Sequence, residues 1–386
     1  MKNAVLVSAV RTPVCKMGGA FKNLDRTNLS TPVILEALKR AGIDGSEVEE
    51  NIWGNVHNFS TPARYTWLAA DQNVETAGLT MNRGCGTGLT GLCIASSLIQ
   101  NGFGDTYMCG GVEMDSKRFF TLMNEDPYNN GKPRLNFQYS SPVVPYGDPN
   151  MVQTAENVAS LLGITREECD DYAFRSQSLA KIGYEEGLYA EHMIPISVPQ
   201  RKGDPVIVEK DEPYRPDTTR EVLSKLRPVM GGVCTGGNCS PLNDGAAAGI
   251  MMEEEKARSL GLKPLLRFVD MATVGVDPRY MGLGPVGAMK KLMKRNKMCQ
   301  DDFDFIELNE AFASQTIGCL RQLDFKLDNV NIRGGAIALG HPYSATGISL
   351  AAKAAGIFKR QGGERCCITF CVGGGQGVAA IFENCD

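Results

Sequence analysis

The 386-residue chain is poor in histidine and has no long apolar run. It contains three histidines, His57, His192 and His341. No stretch of about 18 or more apolar residues occurs, which argues against a membrane-spanning helix. The formal net charge is only −4, from 40 basic and 44 acidic residues, and such a balance is not that of a dedicated nucleic-acid-binding protein. The composition therefore predicts a soluble globular protein with neither nucleic-acid nor membrane partners.

Cysteine is abundant, but its pattern excludes the common structural uses. The chain has 13 cysteines, an odd number that cannot pair completely, and no Cys-x-x-Cys pair. With so few histidines, a structural zinc site is not expected. Residues 1–12 are typical of a strand rather than a signal peptide, so we expect free thiols in a reducing, cytoplasmic compartment. Most of these thiols would be small buried apolar residues.

Strand and helix patterns alternate along both halves of the chain. Residues 106–114 and 303–308 have the short apolar runs of buried strands, and residues 309–322 that follow the second run have a helical pattern. The last 21 residues predict a β-hairpin around a glycine turn at 373–375. Such alternation indicates βαβ units on a parallel or mixed sheet. Two halves of similar topology, with an insertion at about 116–245, fit the chain length.

Cys85 is the candidate nucleophile. It stands in Asn82-Arg83-Gly84-Cys85-Gly86-Thr87-Gly88, directly before a helical run that ends near Gly102. The dipole and free N–H groups of a helix N-terminus favour a thiolate, so we expect the pKa of this thiol to lie below its usual ~8.5. The flanking glycines let a substrate approach closely. A buried structural cysteine in a tight turn is the alternative that this motif alone leaves open.

His341 is the candidate base. A thiolate nucleophile needs a base or ion-pair partner, and His341 follows the glycine-rich run 334–340 on a predicted turn. Ser344 or Thr346 would then cap a helix running to Arg360. His192 follows an acidic residue in a polar stretch, so we expect it to be solvated. A core histidine without a chemical role remains the alternative for His341.

Two further motifs follow predicted strands. Asn309 and Glu310 follow the strand that ends at Leu308, at the strand edge where α/β folds place their crevices; simple helix capping by Asn309 is the alternative. Cys371 precedes a run of three glycines at 373–375. The run lacks a dinucleotide fingerprint and a Lys-Ser/Thr partner, so phosphate binding is disfavoured. We interpret this motif as a second thiol beside backbone N–H groups that can bind an oxyanion.

These four motifs, in this order, resemble the thiolase family, and the resemblance covers nearly the whole chain. It begins at 8–13 and includes Gly236-Gly237-Asn238-Cys239-Ser240 and Met281-Gly282-Leu283-Gly284-Pro285-Val286. It implies an α/β thiolase fold, in which two duplicated βαβαβαββ halves form a five-layer α-β-α-β-α core with an inserted loop domain. The N-terminal half would span 1–115 and 245–262, the coenzyme A-covering loop domain 116–244, and the C-terminal half 263–386.

The resemblance also implies a role for each candidate residue. Cys85 would be the acylated nucleophile, His341 would activate it, and Cys371 would exchange protons with the substrate. Asn309, through a water, would form one oxyanion hole with His341, and the N–H groups of Cys85 and Gly373 would form the other. The implied contacts to substrate and coenzyme A are made by Ser240, Met281, Met151, Arg220 and Lys225.

The implied activity is acyl transfer through an acyl-cysteine. The enzyme would catalyse the reversible Claisen condensation of acetyl-CoA or the thiolysis of a 3-oxoacyl-CoA, with acetoacetyl-CoA as default substrate. Coenzyme A would be a substrate, with no tightly bound cofactor and no metal, and the chain would form a homodimer or homotetramer. Asn150 and Ser344 depart from the usual family pattern near the substrate. A thiolase for a longer, branched or substituted 3-oxoacyl-CoA is therefore an alternative.

Two other functions are weighed against this one. The first is a non-catalytic thiolase-like protein that binds acyl-CoA, and the intact set of Cys85, His341 and Cys371 argues against it. The second is a decarboxylating ketoacyl synthase. It is disfavoured because Asn309 and Glu310 stand where that relative would carry a second histidine.

Overall fold

A computed structural model describes residues 2–57, 61–119, 121–123, 134–136, 146–147 and 149–385. Parts of the predicted loop domain, at 120, 124–133, 137–145 and 148, lie outside these ranges, as do 1, 58–60 and 386. The strands are β1 (Ala4–Arg11), β2 (Cys15–Lys16), β3 (Glu50–Gly54), β4 (Ala77–Met81), β5 (Thr106–Met114), β6 (Thr121–Met123), β7 (Arg134–Asn136), β8 (Ile196–Val198), β9 (Val206–Val208), β10 (Asn243–Glu253), β11 (Leu266–Gly275), β12 (Phe305–Leu308), β13 (Arg365–Val372) and β14 (Gln376–Asn384). The α-helices are α1 (Arg26–Ala41), α2 (Pro62–Ala69), α3 (Thr87–Gln100), α4 (Met151–Leu162), α5 (Arg166–Glu185), α6 (Arg220–Ser224), α7 (Glu254–Ser259), α8 (Gly284–Asn296), α9 (Ala313–Leu323), α10 (Ala336–Leu339) and α11 (Tyr343–Gln361).

The predicted repeat of topology is visible in the order of the strands. The first half runs β4-β3-β5-β10-β1, with β3 parallel to β4 and β5. In the second half, Val330 bridges Ile306 in parallel, and the order then runs β12-β13-β14-β11. The bridge at Val330 therefore takes the place that β4 has in the first half. A short antiparallel pairing of β1 with β11 joins the halves.

Helices cover both faces of the central strands, and this explains their composition. Helices α3 and α11 pack against each other and against strands of both halves, while α1 packs on β10 and β1, and α8 on β14 and β11. The layer order is therefore helix, sheet, helix, sheet, helix, as the resemblance implies. Strands β1, β5 and β10 are buried at every residue, as expected for strands covered on both faces. The middle layer carries the residues that frame the site.

Two local predictions near the site are wrong, and both errors concern helix starts. Helix α9 begins at Ala313 rather than at Asn309, so residues 309–312 remain a non-helical junction. Helix α11 begins at Tyr343 with Pro342 at its N-cap, so neither Ser344 nor Thr346 caps it. In both places a polar residue that favours helix caps makes a tertiary contact instead. The terminal hairpin of β13 and β14 is as predicted.

Candidate active site

Cys85 lies in the turn that leads into α3. Gly84 has a φ of 48°, a left-handed conformation that glycine adopts at no steric cost. A side-chain carbon at Gly84 would lie 3.3 Å from Val372 Cγ1, and one at Gly86 would lie 2.6 Å from Val378 Cγ1. The turn around Cys85 therefore packs directly on the hairpin of β13 and β14. This brings the first candidate motif against the last one in the sequence.

The expected low pKa of Cys85 is wrong for the structure described here. Burial raises the pKa of the Cys85 thiol to about 12, and the charge of Glu113 adds to this rise. The backbone N–H groups of Gly373 and of Cys85 itself lower the pKa of this thiol, but by less than burial raises it. Desolvation thus outweighs the helix N-terminus. Cys85 is a thiol at neutral pH and needs a base before it can attack.

Cys371 lies beside Cys85 in an apolar setting. It is fully buried and clusters with Met281, Phe312 and Ala155. Burial raises the pKa of Cys371 well above its usual range, and the charge of Cys85 raises it further. The two sulfurs are thus close enough to interact electrostatically. Like Cys85, Cys371 is therefore a neutral thiol, and it can act as a proton donor.

His341 is held by hydrogen bonds on three sides. Its backbone N–H donates to Asn243 Oδ1 at 2.8 Å, Asn309 Nδ2 lies 3.3 Å from Nε2, and Thr346 Oγ1 lies 2.8 Å from Nδ1. The side chain is almost fully buried. Burial lowers the pKa of His341 to about 4, so the imidazole is neutral and able to accept a proton at neutral pH.

Asn309 and Glu310 have separate roles in the structure. The Asn309 N–H donates to the Thr369 carbonyl of β13 at 2.9 Å, which directs its side chain to His341. Glu310 is fully buried and accepts hydrogen bonds from Ser176 Oγ at 2.6 Å and Tyr172 Oη at 2.9 Å. It also accepts from the N–H of Ile337, in the glycine-rich segment before His341. Glu310 therefore anchors the segment that carries the base.

Sequence analysis missed several groups that position the site. Asn243 and Thr346 both bind His341, and the sequence signal for each was only that of a turn or cap residue. Glu113 is fully buried on β5 and accepts a hydrogen bond from the Val56 N–H at 2.7 Å. Burial raises the pKa of Glu113 to about 7, and the hydroxyl of Ser344 lowers it in part. Ser344, which was expected near the substrate, is fully buried, and its hydroxyl has no hydrogen-bond partner among the described residues.

The other two histidines are buried as well. His192 is 5% exposed, so the expectation that it is solvated is wrong. His57 Nε2 lies 3.1 Å from Asp115 Oδ1. The ring of Tyr343 lies edge-on to both His57 and His341, with ring centroids 5.1 and 5.2 Å away. The side of the site next to His341 is therefore built from polar and aromatic groups.

The residues expected to contact coenzyme A fall into two groups. Met281 packs in the cluster of Cys371, and Met151 Sδ lies 3.6 Å from where a side chain on Gly373 would begin. The Ser240 N–H donates to the carbonyl of Ala311 at 3.0 Å, within the junction that carries Asn309. These three residues adjoin the two thiols and the junction.

Arg220 and Lys225 form the second group, at α6. Arg220 pairs with Asp171 and stacks over Phe174, with 4.4 Å between the guanidinium carbon and the ring centroid. Lys225 pairs with Glu221. Asn150, the other residue expected near the substrate, caps α4 by accepting from the Gln153 N–H at 2.9 Å. Its side chain thus has a structural contact, and Met151 beside it faces the thiols.

All thirteen cysteines are free thiols, and nine of them are buried. Across the described ranges, no group of three or more His, Cys, Asp or Glu side chains is arranged to hold a metal ion. None of the helices in the same ranges is long and apolar enough to cross a membrane.

Comparison with known proteins gives matches along nearly the whole chain. The model of the thiolase N-terminal domain matches residues 4–255, and that of the thiolase C-terminal domain matches residues 262–384. The chain belongs to the thiolase family. Among curated thiolase relatives, the acetyl-CoA acetyltransferase of Syntrophomonas wolfei is 38% identical and that of Cupriavidus necator 37% identical. The first alignment covers 99% of both chains, and the second covers both completely.

Solved thiolase structures agree with this fold. The Bacillus anthracis acetyl-CoA acetyltransferase is 36% identical and superposes with a TM-score of 0.93, covering 100% of this chain and 99% of that one. Human mitochondrial 3-ketoacyl-CoA thiolase in complex with CoA is 35% identical, with a TM-score of 0.91 and coverage of 99% and 98%. The predicted fold class is confirmed, and the protein is an acyltransferase of the thiolase type.

The buried neutral state of His341 predicts a pH-dependent stability. Its pKa is about 4 in the folded chain and ~6.5 when unfolded, so below ~6.5 the unfolded state binds more protons. The stabilisation is complete above ~6.5 and is lost as the pH falls towards 4. Between pH 7 and pH 5 this group alone should cost about 2 kcal/mol.

Urea unfolding of the native chain and of His341→Asn at the two pH values measures this contribution. The variant should lose about 2 kcal/mol less on acidification than the native chain. His192, also buried with a pKa lowered well below its usual value, remains in both proteins and cancels in the comparison. An equal loss in both proteins would show that His341 does not carry this effect.

Proposed function

We propose that Cys85, His341, Cys371, Asn309 and Gly373 carry out the thiolase reaction on short 3-oxoacyl-CoA substrates. The observation that carries this proposal is the convergence of two thiols with the Gly373 N–H. The N–H groups of Gly373 and Cys85 already lower the pKa of the Cys85 thiol, so they face the place where negative charge develops. The neutral imidazole of His341 lies with its ring centroid 6.3 Å from that of Phe370, the residue before Cys371. This set supplies a nucleophile, a base, an acid and an oxyanion site.

The proton and electron changes balance with these groups alone. In thiolysis, His341 Nε2 takes the Cys85 proton as the sulfur bonds to the 3-keto carbon. The bond between C2 and C3 then breaks, and Cys371 gives its proton to C2 of the departing acetyl-CoA enolate. Coenzyme A returns a proton to the Cys371 thiolate while its sulfur takes the acyl group. The released Cys85 thiolate recovers its proton from His341.

Asn309 supports the second oxyanion site in this scheme. Its Oδ1 is buried without a hydrogen-bond partner among the described residues. A water that donates one hydrogen to this oxygen can point its other hydrogen at a substrate oxyanion, beside the protonated His341. This use accounts for an acceptor whose burial would otherwise cost about 1–3 kcal/mol.

The Asn309 side chain is expected to matter for rate rather than for fold. Asn309→Ala should lower kcat for acetoacetyl-CoA thiolysis by about 100- to 1000-fold, as removal of one oxyanion-hole donor does elsewhere. Alkylation of Cys85 by iodoacetamide should change little, because the thiol and its base remain. Asn101→Ala, at the exposed far end of α3, is the control. Normal turnover by Asn309→Ala would remove Asn309 from the mechanism.

Acetyl-CoA and acetoacetyl-CoA are the substrates we propose first. The name of both bacterial relatives, acetyl-CoA acetyltransferase, supports this choice, and the name of the human neighbour, 3-ketoacyl-CoA thiolase, supports the longer-chain alternative. Ser344 and Asn150 gave the sequence-based reason for a substituted substrate. The Asn150 side chain caps α4 through the Gln153 N–H, which weakens that reason for Asn150.

Thiolysis rates across a series of 3-oxoacyl-CoA chain lengths test the substrate proposal. The value of kcat/KM should be highest for acetoacetyl-CoA and should fall with each added carbon pair. A maximum at a longer, branched or substituted substrate would select the alternative. Absence of turnover and of Cys85 acylation with every thioester would leave the acyl-CoA-binding function.

The assembly and domain division are also proposals. Strand β4 lies at the edge of the main sheet, and its residues 77–80 are exposed, so a second copy can extend the sheet by pairing there. We therefore expect a homodimer or homotetramer, in the cytoplasm. We place the halves at 1–115 with 245–262 and at 263–386, and the coenzyme A-covering loop domain at 116–244. Sedimentation tests the assembly.

A further inference from the structure

The tautomer of His341 is fixed by its two neighbours. An amide nitrogen can only donate, so the Asn309 Nδ2 facing His341 Nε2 at 3.3 Å makes that ring nitrogen an acceptor. In a neutral imidazole the proton is then on Nδ1, which donates to Thr346 Oγ1 at 2.8 Å. The Thr346 oxygen thus accepts from His341. Its own hydroxyl hydrogen must be donated to a third group.

The described part of the chain offers no protein acceptor for this hydroxyl hydrogen. Thr346 instead borders a cavity of about 30 Å³, whose polar lining is completed by His192, Lys353, Arg11, Ser349 and Tyr189. The remaining walls are apolar. A polar cavity larger than about 10–15 Å³ with two to four polar partners can hold a water molecule. Both the size and the lining of this cavity meet those conditions.

His192 lines the same cavity with an unpartnered ring nitrogen. Its side chain is 5% exposed, and Nε2 has no hydrogen-bond partner among the described residues. Burial, together with the charges of Arg11 and Lys353, lowers the pKa of His192 well below its usual value. The ring is therefore neutral and has one nitrogen that accepts. An unpartnered buried nitrogen of this kind is costly unless a ligand fills the cavity.

Lys353 supplies a donor to the same cavity. Its ammonium group lies 2.6 Å from Glu307 Oε2 and donates to the Gly334 carbonyl at 2.5 Å. An ammonium group has three donors, so one N–H remains for the cavity that Lys353 lines. Thr346, Lys353 and Arg11 thus offer donors to a bound molecule, and His192 Nε2 is the acceptor that we assign. This matches a water better than an anion, because an anion could not satisfy the His192 acceptor.

We propose that the cavity holds one ordered water that accepts from the Thr346 hydroxyl and donates to His192 Nε2. The hydrogen bonds then all point the same way. His341 Nδ1–H donates to Thr346, the Thr346 hydroxyl donates to the water, and the water donates to His192. Thr346 and His192 are positioning residues, which keep His341 Nε2 free of its proton on the side of the thiols. The consequence for rate rests on the proposed function, whereas the tautomer of His341 does not.

Histidine labelled with ¹⁵N tests the inference without requiring activity. The chain has only three histidines, so the spectrum contains three imidazoles, assigned with His341→Asn and His192→Gln. In the native chain, His341 should show a protonated Nδ1 and a bare Nε2, and His192 a bare Nε2. In Thr346→Val, the Nε2–H tautomer of His341 should appear. Thr346→Ser, which keeps the hydroxyl, should match the native spectrum.

Turnover and a second variant complete the test. Thr346→Val should lower kcat about 10- to 100-fold, the usual effect of removing the partner that orients a functional histidine, with KM for coenzyme A little changed. His192→Phe should shift the tautomer in the same direction by a smaller amount. Unchanged tautomers in both variants would overturn the proposal. A native chain that turns over no acyl-CoA, but whose tautomer shifts in Thr346→Val, would reject the proposed function and keep this inference.

Discussion

Cys85→Ala should take up no acyl group from acetyl-CoA, whereas the native chain should gain one acyl group per subunit. The alanine removes the only atom that can form the thioester, and no neighbouring thiol can replace it. Cys371 is fully buried with a pKa raised well above its usual range. We expect the rate of thiolysis to fall by at least about 1000-fold, as it does when other covalent nucleophiles are removed.

Intact-mass measurement after incubation with acetyl-CoA reads this result directly. Cys299→Ser is the matched control, because Cys299 is the exposed free thiol and is the first to react non-specifically. It should acylate like the native chain. Acylation that persists in Cys85→Ala and disappears in Cys299→Ser would locate the reactive thiol at the surface. The proposed active site would then be wrong.

Cys371→Ala should still form the acyl-enzyme but should no longer condense or cleave substrates. Acylation keeps Cys85, its base and an oxyanion site. The coenzyme A sulfur, which Cys371 protonates in the native chain, can leave the variant as a thiolate. Carbon–carbon bond formation needs proton transfer at the α-carbon of acetyl-CoA, and the buried neutral thiol of Cys371 is the group placed for it. Loss of a general acid–base group costs about 100- to 10,000-fold.

Two measurements separate this role from a general loss of structure. Exchange of acetyl-CoA α-hydrogens with deuterated solvent should vanish in Cys371→Ala, while acylation by intact mass should remain. Cys367→Ala removes another buried thiol from the same strand and should leave both measurements near native. Undiminished condensation by Cys371→Ala would assign the proton transfer to a different group.

The pKa shifts of Cys85 and His341 indicate the protonation states of these two groups before substrate binds. The pKa of Cys85 is raised to about 12 and that of His341 is lowered to about 4, both because burial disfavours charge. The resting pair is therefore thiol and imidazole rather than thiolate and imidazolium. Charge separation must accompany substrate binding, when the N–H groups of Gly373 and Cys85 and the Asn309 side chain meet a developing oxyanion. Cys85 thus stays protonated until its base acts on it.

Much of the site could be predicted because its residues are marked locally. Cys85 stands between glycines before a helix, Cys371 precedes three glycines, and Asn309 follows a buried strand. Each of these sequence patterns indicates a place where the backbone can approach a substrate or where a strand ends. The residues that position His341 have no distinctive sequence pattern. Thr346 and Asn243 resemble cap and turn residues in sequence. Their contacts to His341 join different structural elements.

The amino-acid sequence by itself determined the family, the layered α/β fold and the identity of the chemical groups, because these depend on local patterns and on their order. Only the tertiary structure decided the ionisation state of those groups. Burial depends on what packs around a residue, so the helix N-terminus that should favour a Cys85 thiolate is outweighed by desolvation. For the same reason His192, polar in its sequence context, lies against a cavity beside the partner of His341.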